Sequence, residues 1–153
     1  VPAAVIVLKD LIPNLDFFSL GTNDLVQYTL AVDRTNAAVS KYYDECHPSV
    51  LRMIATTIRQ VHQANKNISV CGEMAARQEL VPFFIGLGCT HLSMTLTQIP
   101  TIKERILKTD RAKAEAFAAS VLRRRSAKAV HQSFIQEEES FQNRKVTDPS
   151  TTL

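Results

Sequence analysis

Cysteine is scarce in this chain: Cys46, Cys71 and Cys89 are the only three in 153 residues. Their number is odd and no C-x-x-C spacing occurs, which argues against a disulfide framework or a zinc ribbon. Reduced thiols in a cytoplasmic protein are the expectation. No apolar run approaches the roughly 20 residues of a membrane span, so no membrane partner is expected. The apolar N-terminus lacks a basic n-region and a small-residue cleavage site, so it does not read as a signal peptide. It also lacks an initiator methionine and opens in mid-pattern on VPAAVIVLKD, as if cut from a longer chain. The net charge of +3 is too small and scattered to argue for nucleic acid. Its densest cluster, Arg123, Arg124 and Arg125, reads as a solvated helix face. No internal repeat is present.

Apolar residues make up 45% and charged residues 22%, the balance of a globular domain with a real core. Residues 2–12 read as a helix with Pro2 in its first turn, where a missing N–H costs little. The run LDFFSL, 15–20, reads as a parallel strand buried on both sides. Gly21-Thr22-Asn23-Asp24 follows as a polar loop, then a short helix or turn over 25–32 and a loop over 33–48 with a possible helical turn at 37–42. Val50, Leu51, Ile54, Ile58 and Val61 follow helical spacing, with Ser49 near the start. A second strand is expected over 68–71, a helix over 78–88 with Pro82 in its first turn, a third strand over 90–94, and a helix from about Pro100. Residues 111–136 read as one long alanine-rich helix, and 137–153 as a polar, disordered tail. Strands alternating with helices imply parallel βαβ units. Three strands would make a small doubly wound sheet, or part of a (β/α)8 barrel, which needs eight.

In either architecture the working end is the carboxyl end of the strands. Three polar clusters fall there: Gly21-Thr22-Asn23-Asp24, Cys71-Gly72-Glu73 and Ser93-Met94-Thr95. Asp24 offers a hard oxygen suited to a divalent cation such as Mg²⁺ or Mn²⁺, although spacing alone favours a helix cap at Asn23 or Asp24. Arg34 carries a planar fork suited to a phosphate or a carboxylate, against the default of a solvated arginine. Cys71 reads as an acid or nucleophile, or as a buried structural thiol. Gly72, which permits close approach, and the adjacent charge of Glu73 weaken the structural reading. Cys46 and Cys89 read as structural, and His47 and His62 have no metal-ligand spacing to a partner.

DFFSLGTNDLVQYTLAVDR (16–34), HPSVLRMI, CGEMA (71–75) and LSMTLTQIPTIKERI together resemble the C-terminal domain of phosphoenolpyruvate-utilising enzymes, from about Pro2 to Thr109. The pattern is most similar to the enzyme I-like branch, the phosphoenolpyruvate–protein phosphotransferases. Pyruvate phosphate dikinase and phosphoenolpyruvate synthase share G-[TS]-N-D-L-x-Q but differ after C-G.

The resemblance implies the C-terminal portion, about strands 6–8, of a (β/α)8 TIM barrel that binds phosphoenolpyruvate with Mg²⁺. It implies Asp24 as a metal ligand, Asn23 and Arg34 as substrate-phosphate contacts, and Cys71 as the acid that protonates the enolate carbon. For an intact enzyme it implies transfer of the phosphoryl group to a protein histidine with release of pyruvate, the phosphocarrier protein HPr as partner, and a homodimer. Departures are also visible. A second metal-binding glutamate is expected just upstream of Val1, no histidine lies in the context of a phosphoryl acceptor, Ala76 replaces an expected glycine, and residues beyond about Arg123 match no pattern. The chain alone is therefore expected to be inactive. The alternative is a truncated, inactive half-barrel that serves as an interaction or regulatory module.

Overall fold

A computed structural model describes residues 1–147 of the chain, with side chains through Asn143. Three strands, β1 (Phe17–Gly21), β2 (Asn67–Cys71) and β3 (His91–Ser93), form one parallel sheet in the order β1-β2-β3. The register sets Gly21 level with Cys71, and Cys71 level with Ser93. All three strands therefore end at one height, and the segments that leave them start side by side.

The apolar residues 2–11 form two short helices, α1 (Pro2–Ile6) and α2 (Leu8–Leu11), followed by a 3₁₀ turn at Ile12–Asn14. Pro13 lies in that turn and ends the helical run. Helix α3 (Thr22–Leu30) starts directly after β1 and absorbs the polar residues that read as a loop. It stops at Ala31, which takes a left-handed conformation. The long connection that follows contains a 3₁₀ turn at Ser40–Tyr42.

Helix α4 (Pro48–Gln63) is the amphipathic helix that the spacing indicates, and its Val50, Leu51, Ile54, Ile58 and Val61 are all buried. Its cap is His47, whose ring Nδ1 accepts the Ser49 N–H at 3.3 Å. After β2, 3₁₀ turns at Glu73–Ala76 and Gln78–Leu80 lead into α5 (Val81–Gly86), with Pro82 in its first turn. Helix α6 (Ile99–Leu107) follows β3.

The expectation that β1 is covered on both sides is corrected. Leu20, Ile68 and Val70 are buried, with Phe18 and Leu92 packed beside them, while Phe17, Ser19, His91 and Ser93 on the opposite face are exposed. The helices pack against one face of the sheet, and the face that carries Ser19, Ser69, Cys71 and Ser93 has none over it among the described residues. Continuous apolar lettering misled at Phe17, which is 71% exposed. Burying Ile68 and Val70 on the covered face contributes about 2 kcal/mol each.

The reading of residues 111–136 as a single helix is also corrected. Two helices form, α7 (Arg111–Leu122) and α8 (Ala127–Thr147), broken at 123–126. The Asp110 carboxylate caps α7, accepting the Lys113 N–H at 2.8 Å. Gly86 lets α7 press onto α5: a Cβ there would sit 2.1 Å from the Ala114 carbonyl oxygen.

Helix α8 runs on through Thr147, whereas the composition reads as a disordered tail from residue 137; residues 148–153 lie outside the described set. Phe134 and Phe141, seven residues apart and both buried, hold it down. The Phe134 ring meets Phe117 edge-on at 5.4 Å and Phe83 at 6.2 Å. The Phe141 ring lies 3.5 Å under the Arg105 guanidinium, which also pairs with Glu138 at 3.3 Å.

Candidate active site

The level ends of β1, β2 and β3 open onto a cleft of about 620 Å³. Asn23, Cys71, Glu73, Arg77, Ser93 and Met94 are among its walls. All three polar clusters singled out from the sequence thus contribute to one cavity. The parallel register makes this unavoidable, because each cluster follows its strand at the same height.

Gly72 fixes how closely the first two clusters meet. Its φ of 106° lies in the region that favours glycine, and a Cβ there would sit 2.4 Å from Thr22 Oγ1 and 2.9 Å from Asn23 Oδ1. The chain uses that space for two bonds that tie the start of α3 to the end of β2 and the turn after it. The Thr22 hydroxyl donates to the Cys71 carbonyl at 2.9 Å, and the Glu73 N–H donates to Asn23 Oδ1 at 3.1 Å. Neither Asn23 nor Asp24 side chain caps α3, so the cap reading that spacing favoured does not hold. The Asn23 amide is instead oriented by its bond to the Glu73 backbone, which leaves its NH₂ group as a donor.

Cys71 is partly exposed and lines the cleft. The Ser19 hydroxyl donates toward its sulfur at 3.5 Å, and Ser69 donates to Ser19 at 3.2 Å. A short hydroxyl row therefore leads to the thiol along the open face of the sheet. The other two cysteines differ. Cys46 is buried, and desolvation pushes its thiol up to about 12. Desolvation also raises Cys89, partly offset by hydrogen bonding at His91 and Val70.

Asp24 lies one residue beyond Asn23, exposed on the first turn of α3, and is not among the residues lining the cleft. Arg34 also stands outside the lining residues, but its Nη1 pairs with Glu73 Oε1 at 2.6 Å. Both partners are substantially exposed, so the pair is worth little to stability and is free to exchange for another anion.

Two neighbours were not legible from the sequence. Burial raises the Tyr43 phenol, with the Glu45 carboxylate adding to the effect, and its hydroxyl lies 3.4 Å from the Asn23 carbonyl. Arg77 lines the cleft and bonds both Glu45 and Glu79. Burial alone would lower its guanidinium, but those two partners outweigh it and hold it above its ordinary value. No sequence spacing links residue 77 to residue 45; only the path of the 33–47 connection brings them together.

Asn23, Cys71 and Ser93 thus stand around one cleft at the ends of a parallel sheet. Residues 1–111 match the family described as PEP-utilising enzyme, PEP-binding domain, and the chain belongs to that family. It is 42% identical over 129 residues to the phosphoenolpyruvate-protein phosphotransferase of Buchnera aphidicola subsp. Schizaphis graminum, a stretch that covers 84% of this chain and 23% of that protein. It is 38% identical over 122 residues to the Bacillus subtilis protein of the same name, covering 80% and 21%. It is also similar to multiphosphoryl transfer protein 2 of Escherichia coli, at 40% over 110 residues, or 72% and 13%. The chain thus spans about a fifth of the length of the phosphotransferases it matches. Among the described residues no helix is long and apolar enough to cross a membrane.

Proposed function

We propose that this chain supplies the carboxyl-terminal part of the phosphoenolpyruvate site of a phosphoenolpyruvate–protein phosphotransferase. The observation that carries this is the convergence of Asn23, Cys71 and Ser93 on one cleft at the level ends of three parallel strands. Helices on one face only among the described residues, with strands in sequential order, favour a segment of a (β/α)8 barrel, about strands 6–8, over a doubly wound sheet, which is covered on both faces. On this reading the small polar residues of the uncovered face, Ser19, Ser69 and Cys71, point toward the barrel interior.

The reaction breaks the bond between phosphorus and the enol oxygen of phosphoenolpyruvate. The phosphoryl group passes to a histidine nitrogen on a protein, and the electron pair stays on the enolate. The Asn23 amide, held by its bond to Glu73, donates to the phosphate. Arg34 exchanges Glu73 for the phosphate and neutralises its charge. The Cys71 S–H then delivers a proton to the enolate methylene carbon, giving pyruvate and a thiolate. The Ser19 hydroxyl, already directed at that sulfur, stabilises the thiolate until water restores its proton. The exposed Asp24 carboxylate, unused as a helix cap, fits a hard divalent cation. Mg²⁺ held there would neutralise phosphate charge during transfer. In the intact protein the expected partners are phosphoenolpyruvate, the phosphocarrier protein HPr and a second copy of the protein.

Replacing Cys71 by Ser in the intact protein tests this reading. A Cys71→Ser variant that binds phosphoenolpyruvate normally but turns over at least about 100-fold more slowly supports it. Unchanged turnover assigns the proton to another group.

A further inference from the structure

Outside the cleft, at the junction of the 33–47 connection with α8, three donors of different chemistry meet. Asp44 Oδ1 lies 3.0 Å from His131 Nε2, and the Cys46 sulfur joins them so that all three donor atoms lie within 4.8 Å of one another. The cluster is built on both sides. Asp44 Oδ1 also accepts the Cys46 N–H at 2.9 Å, a local turn that presents carboxylate and thiol together. His131 stands one turn before Phe134, whose ring contacts with Phe83 and Phe117 fix the helix that carries it. Cys46 closes the floor at 2% exposure, while the half-exposed His131 side chain leaves the other side open. A second cavity of about 380 Å³, lined by Cys46, His131 and Phe134 among others, adjoins it.

One imidazole nitrogen, one sulfur and one carboxylate oxygen form a borderline-soft donor set. Such sets suit Zn²⁺ and disfavour Mg²⁺, which takes oxygen ligands and keeps its waters. Ligand atoms around tetrahedral zinc lie about 3.3–3.8 Å apart, given bond lengths of about 2.0–2.3 Å. With all three donor atoms already within 4.8 Å of one another, no pair has to close by more than about 1.5 Å to reach that geometry. Three protein ligands beside a cavity leave the fourth position for water or an exogenous ligand.

We propose that Asp44, Cys46 and His131 form a Zn²⁺-class metal site that clips α8 to the 33–47 connection. Binding breaks the Nε2–H contact between His131 and Asp44, leaving the neutral ring protonated at Nδ1, and releases the Cys46 thiol proton to solvent; Zn–N, Zn–O and Zn–S bonds form without any change of oxidation state. The site stands apart from the Mg²⁺ position proposed at Asp24. It also straddles Glu45, whose carboxylate holds Arg77 at the edge of the substrate cleft.

The test is titration of the full chain with Zn²⁺, and with Co²⁺ as a spectroscopic substitute, in excess Mg²⁺. The expected result is one equivalent bound, a sulfur-to-cobalt charge-transfer band with tetrahedral ligand-field intensity, and a higher Tm with metal. His131→Gln, at an exposed position that does not endanger folding, should weaken binding by at least about tenfold and remove the Tm gain. Cys46→Ser, checked for folding by circular dichroism, should abolish the charge-transfer band, while Cys71→Ser and Cys89→Ser retain it. An octahedral cobalt spectrum without that band, or Zn²⁺ affinity unchanged by His131→Gln, overturns the proposal and leaves Asp44–His131 a simple ion pair.

Discussion

The Asn23 side-chain oxygen accepts the backbone N–H of Glu73 at 3.1 Å, tying the turn after β1 to the turn after β2. That bond settles which end of the amide faces the cleft. It also separates two roles that a substitution can distinguish. Asn23→Asp keeps the acceptor but replaces the free NH₂ donor with negative charge. We expect stability in chemical denaturation to change by less than about 1 kcal/mol, and phosphoenolpyruvate affinity of the intact protein to fall by at least about tenfold in calorimetry. Equal affinity would remove Asn23 from the phosphate contacts.

Gly72→Ala should damage the same junction by a different route. The added methyl meets Thr22 Oγ1 at 2.4 Å in a backbone conformation that alanine rarely adopts. A loss of about 1–3 kcal/mol is expected from strain and displaced neighbours, read as a lower denaturation midpoint. A neutral result would mean that the two turns separate easily and that the site is loosely held.

Thiol alkylation followed by mass spectrometry should rank the cysteines, with Cys71 fastest because it is exposed to the cleft. Burial raises Cys46 to about 12, so its thiolate is scarce at pH 8 and its labelling should climb only as pH approaches that value. Cys89, raised by desolvation as well, should also lag. The sign for stability follows. A thiol raised on folding helps the fold below 9.0, its ordinary value, and that help fades as pH climbs from there toward 12. Phosphoenolpyruvate with Mg²⁺ should protect Cys71 in the intact protein. Equal labelling of Cys71 and Cys89 with no protection would return Cys71 to a structural role.

Phe134→Ala tests whether α8 belongs to the folded body. Its ring touches Phe83 of α5 and Phe117 of α7, and it is 4% exposed. A loss of about 3 kcal/mol is expected, with amide exchange quickening along α8 and the segment of α7 around Phe117. Loss confined to α8 would show a helix that docks without supporting the core.

The 153-residue polypeptide expressed by itself should self-associate and show no phosphoryl transfer. Among the described residues the outer edges of β1 and β3 have no partner strand, and Phe17 presents 71% of its surface on the uncovered face. Phe17→Lys should reduce the association seen in sedimentation. A monodisperse wild-type monomer that melts cooperatively would instead favour a self-contained interaction module.

By itself the sequence determined the local and the level. Apolar spacing placed α4, proline and glycine marked the ends of α2 and α5, and short apolar runs before polar clusters located the three strands. It also determined that Asn23, Cys71 and Ser93 stand at strand ends, because a parallel βαβ order sends every carboxyl end the same way. Which face each strand buries was decided only by tertiary structure. FFSL reads the same whether one side or both are covered, and among the described residues helices lie on one side alone. Tertiary structure also decided the partners of long separation, Arg34 with Glu73, Arg77 with Glu45 and His131 with Asp44. Each pair joins residues at least 32 positions apart, and the 33–47 connection and α8 reach them by packing rather than by period. The glutamate-rich lettering after Gln136 hid the Phe134–Phe141 stripe, since two aromatic residues seven apart become a buried face only when other helices supply the surface they cover.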